Sequence, residues 1–124
     1  MAWLDARNRK GRTLAISTDR DDGVLTIKAQ GRIDGSNAAD FLKSVEGVID
    51  QNDSGVILDF SELNYISSAG LRIILLIAKD LRQRSVKFAL CSLSSSVAEI
   101  FMISGFDQII DLHEDTAAAV AALK

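Results

Sequence analysis

The chain has 124 residues, a length that predicts one domain and leaves no room for a second. Hydrophobic residues make up 48% and charged residues 25%, which is the balance of a folded globular protein and excludes wholesale disorder. The formal net charge of −3 argues against a nucleic-acid binder, because such proteins usually display a basic surface.

The N-terminal residues carry the one basic cluster of the chain, formed by Arg7, Arg9, Lys10 and Arg12. Such a cluster can contact phosphate or acidic lipid, but a solvated tail is the commoner case. We therefore predict a flexible segment at residues 1–11 and a single domain over residues 12–124.

Two further features indicate a soluble, cytoplasmic protein. Cys91 is the only cysteine, so no disulfide can form within the chain, as suits a reducing compartment. Met1–Gly11 lacks the apolar stretch of a signal peptide, and the longest apolar run, Ile73–Ala78, is too short to span a bilayer. We expect no contact with a membrane.

The first half of the chain predicts two strands, a helix and a third strand. Arg12–Thr18 and Val24–Gln30, separated by a polar turn at Asp19–Gly23, predict an antiparallel hairpin, and the second segment alternates apolar and polar residues as a half-buried strand does. A loop at Gly31–Gly35 precedes a helix with apolar residues at helical spacing from Ala38 to Ile49. That helix is capped by Ser36 or Asn37.

The second half alternates strands and helices. Val56–Phe60 is a continuous apolar run, typical of a strand buried on both faces. Ser61–Ser67 is predicted to connect it to a deeply buried helix over Ser68–Leu81, which is apolar nearly all round. The remaining predicted strands are Val86–Cys91 and Gln108–Leu112. Between them a helix at Val97–Ser104 starts in a Ser96–Glu99 capping box and ends at Gly105. A last helix is predicted at Glu114–Leu123, capped by Asp115 or Thr116.

This order, ββαβαβαβα, predicts an α/β fold with a mixed, largely parallel sheet of about five strands and covering helices. The two serines Ser67 and Ser68 begin the most buried helix, directly after the most buried strand. Helix starts of this kind are where α/β proteins place functional groups. In one interpretation, these serines have no role beyond capping the helix. In the other, Ser67 caps the helix while Ser68 points outward.

Four other residues near these positions are candidates for a functional or a structural role. Asp34 is a functional loop residue or a local Asx-type cap, and Asp59 can hydrogen-bond to amides near Ser61. Gly70 lies in the first turn of the helix, where glycine is unfavourable, which suggests close approach of a partner or of packed backbone. Arg72 is either solvated or a contact residue.

We predict no catalytic or metal-binding role for the only histidine or the only cysteine of the sequence. His113 is predicted to lie in a surface loop, and Cys91 to be a small buried hydrophobe. A metal site needs several converging ligands, which the sequence does not group, and no Gly-x-Ser-x-Gly or phosphate-binding loop is present. The sequence therefore predicts neither a metal nor an enzyme.

One stretch resembles a known family signature. Leu58–Ser61 followed by Tyr65–Arg72 is similar to the motif of STAS domains in bacterial anti-sigma factor antagonists, in which a strand leads through an aromatic residue to a phosphorylated serine, a glycine and a leucine. Gly31–Asp34 is similar to a second family element, and the run from Leu93 to Phe106 to a third. The resemblance extends over Leu14–Leu123.

The resemblance implies a regulatory binding protein without cofactor, metal or catalytic residue, often a monomer. Its partner would be an anti-sigma factor that is also a serine kinase with the histidine-kinase-like ATPase fold. That kinase would phosphorylate Ser68 and end the interaction, and a PP2C-type phosphatase would restore it. The implied partner-binding residues are Asp34, Ser67, Ser68, Gly70 and Arg72, with Asp59 and Ser61 in a supporting loop.

Two departures from the family pattern leave a choice open. Ser67 replaces an aspartate that many members have before the acceptor, and Ala69 replaces a serine after it. Ser67 is therefore an alternative phosphorylation site to Ser68. The alternative function is that of a constitutive docking subunit, as in a lipid-transport ABC system or a stressosome-like assembly.

Overall fold

Five strands and four helices follow one another in the predicted order in the computed structural model, which describes residues 14–124. The predicted flexible segment at residues 1–11 lies outside the described residues. The strands are β1 Leu14–Asp21, β2 Val24–Ile33, β3 Gly55–Ile66, β4 Lys87–Cys91 and β5 Asp111–His113; the helices are α1 Ala38–Val48, α2 Ser68–Gln83, α3 Ser95–Ile103 and α4 Thr116–Leu123, with a 3₁₀ turn at Phe106–Gln108.

The sheet is mixed and largely parallel, as predicted. Its strand order is β1-β2-β3-β4-β5; β1 pairs antiparallel with β2, and the other neighbouring strands pair parallel. The predicted turn at Asp19–Gly23 is too long, because Asp19 pairs with Thr26 and the strand continues to Asp21. Only Asp22 and Gly23 form the turn, both with positive φ, as in the tight turns that suit the twist of a hairpin.

The core has two layers because successive side chains of a strand point to opposite faces of the sheet. One face packs against α1, α2 and α3 through buried residues such as Phe41, Ile74 and Phe101. The other face is covered by α4, whose Ala119 and Leu123 contact a smaller buried cluster. The parallel strand β3 is buried on both faces over its first six residues, as its apolar run predicts.

The strands β2 and β3 extend further than predicted. Gly31 and Ile33 belong to β2, and Ser61 and Ile66 to β3, so the predicted loop at Gly31–Gly35 and the predicted connection at Ser61–Ser67 are largely strand. Register shifts between these strands give β3 extra residues opposite β2, which is the pattern of β-bulges. Gly31, with φ of +109°, supplies at one shift a backbone conformation that other residues rarely adopt.

Bulges also explain why the sequence pattern failed here. From Phe60 onward the buried residues of β3 are Phe60, Leu63 and Ile66, spaced by three instead of two. A strand prediction relies on period two, and an inserted residue breaks that period.

The helix starts and the last strand need three further corrections. Ser94, not Ser96, caps α3: its Oγ accepts from the amide of Val97 at 3.3 Å, and Ser96 lies inside the first turn. A 3₁₀ turn occupies the start of the strand predicted at Gln108–Leu112, so β5 begins only at Asp111. His113 therefore lies in a strand, half-buried, and not in a surface loop.

The prediction that α2 is deeply buried is wrong in part. Ile74, Ile77 and Leu81 are buried, but Leu76 is 46% exposed. The helix lies on the outside of the sheet, so one side of even an apolar helix faces solvent. Among the described residues, no helix combines the length and the apolar character that crossing a bilayer requires.

Asp53 anchors the α1–β3 connection to β1 and makes stability depend on pH. It is 6% exposed, accepts from Arg20 Nε at 2.9 Å and Arg20 Nη2 at 3.0 Å, and accepts from the amide of Asp50 at 2.8 Å. The hydrogen bond from Arg20, which outweighs the opposing effect of burial, lowers the pKa of Asp53 below its usual value.

We expect Asp53→Asn to lower the free energy of unfolding by about 2 kcal/mol at pH 7, because hydrogen bonds to charged groups contribute about that much. The stabilisation is present above the unfolded pKa, near pH 4, and is lost as pH falls through the lower folded pKa. Urea unfolding at several pH values measures both effects. Asp21→Asn, which breaks the exposed pair with Lys124 at 3.1 Å, is the control and should change stability by less than about 0.5 kcal/mol.

Candidate functional site

The candidate site lies where β3 ends and α2 begins, beside the end of β2. Ile33 and Ile66 are register partners at the last positions of these two parallel strands. The amide of Ser67 donates to the carbonyl of Ile33 at 2.9 Å, which ties the start of α2 to β2. The site thus lies at the carboxyl ends of parallel strands, where α/β sheets commonly bind their ligands.

The two serines have different environments. Ser67 is the N-cap: its backbone is extended, and its Oγ accepts from the amide of Gly70 at 3.2 Å. Ser68 is the first helical residue, and it is exposed. The structure therefore has Ser67 engaged as a cap and Ser68 open to a partner, one of the two arrangements that the sequence allows.

This difference predicts unequal effects of two alanine substitutions. Ser67→Ala removes the cap and should lower the free energy of unfolding by about 1 kcal/mol. Ser68→Ala deletes an exposed hydroxyl and should change it by less than about 0.5 kcal/mol. Denaturant titration of both variants measures the difference, and Ser67→Asp should restore the stability because aspartate also caps helices well. Equal losses in the two alanine variants would contradict the assignment of the cap.

Gly70 is required by packing inside the protein. A β-carbon built there would lie 2.7 Å from Cγ1 of Ile66, 2.9 Å from Cγ2 of Ile33 and 3.3 Å from the carbonyl oxygen of Ile33. Contacts of a real β-carbon are essentially never shorter than 3.0 Å. Of the two readings of Gly70, packed backbone is therefore the one that the structure shows.

Asp34 directly follows β2, and its side chain forms the local Asx-type cap that was one of its two predicted roles. Its Oδ1 accepts from the hydroxyl of Ser36 at 2.6 Å and from the amide of Ser36 at 2.9 Å, and its Oδ2 pairs with Arg32 Nε at 3.0 Å. These bonds, chiefly the one from the Ser36 hydroxyl, lower the pKa of Asp34 below its usual value. The carboxylate lies beside the site, but Arg32 offsets much of its charge.

Asp59 and Ser61 do not form a loop next to the serines. Both belong to β3, which continues for five residues after Ser61. Asp59 is 8% exposed, and it accepts from the amide of Ser61 at 2.9 Å, as predicted, and from the hydroxyl of Thr116 at 3.4 Å. Asp59 therefore joins β3 to α4, and both residues lie about 15 Å or more from the start of α2 at the rise of a strand.

Two residues that the sequence reasoning passed over flank the site. Arg32 and Tyr65 are register partners on β2 and β3, and the guanidinium lies 4.9 Å from the centre of the tyrosine ring. Tyr65 is 45% exposed, so part of a large aromatic ring faces solvent beside the site. Both residues belong to the motifs quoted above. The sequence does not single them out, because no local pattern shows that their side chains are exposed.

Arg72 is exposed on α2, one turn after Ser68, whereas Cys91 and His113 lie apart from this group. Cys91 is fully buried, and burial raises the pKa of its thiol, as expected for an unreactive side chain. Nε2 of His113 is buried without a hydrogen-bond partner. Within residues 14–124, no three potential ligands among histidine, cysteine, aspartate and glutamate come together as a metal site would require.

Comparisons with known proteins agree on one family. Residues 15–119 match the STAS domain. The chain is 40% identical over 111 residues to BtrV of Bordetella bronchiseptica, a protein named as an anti-sigma factor antagonist, with 90% of this chain and 96% of BtrV covered.

Solved structures share the fold at lower identity. The crystal structure of an anti-sigma factor antagonist from Mycobacterium paratuberculosis superposes with a TM-score of 0.82 at 19% identity, covering 90% of this chain and 94% of the other. The phosphorylated form of SpoIIAA, a Bacillus cell fate determinant, superposes with a TM-score of 0.68 at 17% identity, covering 89% of this chain and 100% of the other.

Proposed function

The chain belongs to the STAS domain family and is related to its anti-sigma factor antagonists, and from this premise we propose that it is itself such an antagonist, switched by phosphorylation of Ser68. It would bind an anti-sigma factor that is also a serine kinase with the histidine-kinase-like ATPase fold. Binding would release a sigma factor, and a PP2C-type phosphatase would reverse the modification.

The observation that carries the proposal is the pair of serine environments at the start of α2. Ser68 is exposed, whereas the hydroxyl of Ser67 is held by the amide of Gly70. A kinase needs a free hydroxyl, so Ser68 is the better acceptor and Ser67 the alternative. Asp34, Gly70 and Arg72 would complete the partner-binding surface, with Gly70 acting through its packing.

A phosphate at this position is compatible with the fold. Amides of the first helical turn have no partner within the helix, and the helix dipole favours an anion there. The first turn of α2 contains no acidic residue that would oppose the added charge. The structure of SpoIIAA in its phosphorylated form shows that a protein of the same fold accepts a phosphate.

The modification would instead act on the partner interface. Phosphate adds about 1.5 to 2 negative charges, and burying them unpaired costs several kcal/mol. Because Arg32 already pairs with Asp34, repulsion from that carboxylate contributes less than desolvation. The switch would therefore work by the loss of a desolvated contact.

The proposal describes a binding protein and not an enzyme. It would act as a monomer in the cytoplasm, where sigma factors act, without direct contact to nucleic acid or membrane. In this proposal the chain itself uses no cofactor or metal.

The experiment that tests the proposal is phosphorylation by a cognate anti-sigma kinase with ATP, followed by intact mass and site mapping. The wild type should gain one phosphate, Ser67→Ala should still gain it, and Ser68→Ala should not. Loss only in Ser67→Ala would keep the function and move the site by one residue. Partner binding without any phosphate would overturn the switch in favour of a constitutive docking subunit.

A further inference from the structure

A groove on the other half of α2 lies outside the candidate site. It runs between the second half of α2, the start of β4 and the segment that leads into β5, and has a volume of about 650 Å³. We refer to it as the α2–β4 groove.

The rim of the α2–β4 groove is basic. Lys79, Arg82 and Lys87 line it, and no carboxylate does. All three cations are exposed, and within residues 14–124 none of them forms an ion pair. The whole chain has a net charge of −3, so this concentration of unpaired positive charge runs against its overall sign.

The floor of the groove is apolar. Leu75, Val86 and Phe88 are only partly buried, and Val86 and Phe88 pack against the main core. Ile109, on the far wall, is 56% exposed. An apolar floor with a charged rim is the usual composition of a site that binds an amphipathic ligand.

The basic rim of the groove and Ser68 lie far apart along the same helix, although Leu75 of the groove lies about one turn after Arg72. Lys79 comes eleven residues after Ser68 in α2, and a rise of 1.5 Å per residue separates them by about 17 Å. That distance exceeds the Debye length at physiological ionic strength, about 8 Å. A charge added at Ser68 should therefore have little effect on binding in the groove.

We propose that the α2–β4 groove is a second docking surface, which takes an acidic amphipathic helix of a partner protein irrespective of the phosphorylation of Ser68. The apolar face of that helix lies on Phe88, Leu75 and Ile109. Its flanking carboxylates pair with the cations of the rim. This surface goes beyond the proposed switch, because it would hold a partner in both states of Ser68.

The arrangement of charge selects this ligand over others. Lys79 and Arg82 are three residues apart on one face of α2, and Lys87 lies on the strand opposite, so the cations are spread along the rim. Spread cations suit several carboxylates on a helix better than the single head group of a fatty acid. The N-terminal basic cluster of this chain has the wrong sign to occupy the groove.

The test uses an 18-residue fluorescein-labelled peptide with leucines on one helical face and glutamates beside them, titrated with the full chain. Fluorescence anisotropy should show binding that weakens as salt rises. Lys79→Glu should weaken it about tenfold, because it replaces attraction by repulsion at the rim. Lys43→Glu, the same change on an exposed lysine of α1, is the matched control and should leave affinity within about twofold.

Two further arms keep the test specific. A peptide with lysines in place of the glutamates should not bind, and protein phosphorylated at Ser68 should bind the acidic peptide with unchanged affinity. Backbone amide NMR shifts should change around Phe88 and Ile109. Absence of binding, equal loss in both lysine variants, shifts centred on Ser68, or displacement of the peptide by laurate at comparable concentration would overturn the proposal.

Discussion

Phosphorylation of Ser68 is expected to weaken binding to the cognate anti-sigma factor at least a hundredfold, roughly 3 kcal/mol, while leaving the fold intact. The loss arises because the partner surface must remove water from a dianion that it cannot pair. The fold persists because Ser68 is the exposed first residue of α2, where the helix dipole favours negative charge.

Isothermal titration of the unmodified and the phosphorylated protein against the same anti-sigma factor measures the effect. Ser68→Ala is the control: it lacks the charge and should keep the affinity within a few-fold. Thermal unfolding of the phosphoprotein should give a melting temperature within about 3 °C of the unmodified protein, which corresponds to less than 1 kcal/mol. A large fall in melting temperature would mean that phosphate acts by unfolding the site, contrary to the proposal.

Gly70→Val is expected to cost about 3 kcal/mol of unfolding free energy, the largest effect of any single change near the site. The first added carbon already lies within 3.0 Å of Ile33 and Ile66, which are β-branched and buried in the core. Neither can move away cheaply, and overpacking of this kind costs about 1–3 kcal/mol before the extra methyl groups of valine are placed. Gly70→Ala should cost less, since alanine also gains about 1 kcal/mol of helix propensity.

Gly47 provides the matched control on α1. It is a helical glycine with nothing within 4 Å of a built β-carbon. Gly47→Ala should therefore raise stability by up to about 1 kcal/mol, because only the propensity term remains. Denaturant unfolding of both alanine variants should give opposite signs, and stabilisation by Gly70→Ala would show that the start of α2 is not packed against β2 as described.

The order of elements was predictable because periodicity survives in most of the chain. Alternation in Val24–Gln30, the apolar run at Val56–Phe60 and the helical spacing from Ala38 each record which faces are buried. Those features together indicate a mixed α/β sheet, and the structure has it.

The errors have two physical causes. Extra residues in β3 opposite β2 convert a period of two into a period of three, so the second half of β3 was read as a connection. Competing caps are the other cause: the three consecutive serines Ser94, Ser95 and Ser96 lie at the start of α3, and the extended backbone of Ser94 makes it the cap.

The candidate site was predictable in part. The motif predicts that Ser67 and Ser68 lie at the start of a helix, and they lie there in the structure. The motif does not reveal that Arg32 pairs with Asp34 and stacks on Tyr65, because these contacts depend on the register of two strands that are distant in sequence. Phosphorylation of either serine stays a prediction.

The unequal lengths of the strands have a dynamic consequence for the site. The pairing of β4 with β3 ends at Asp59, so the last residues of β3, from Glu62 to Ile66, pair with β2 alone. A segment held on one side opens locally at a lower free energy than one held on both. Amide hydrogens of Leu63 and Tyr65 should therefore exchange with solvent faster than those of Ile57 and Leu58, and the strand end that presents Ser68 can adjust to a partner without unfolding the sheet.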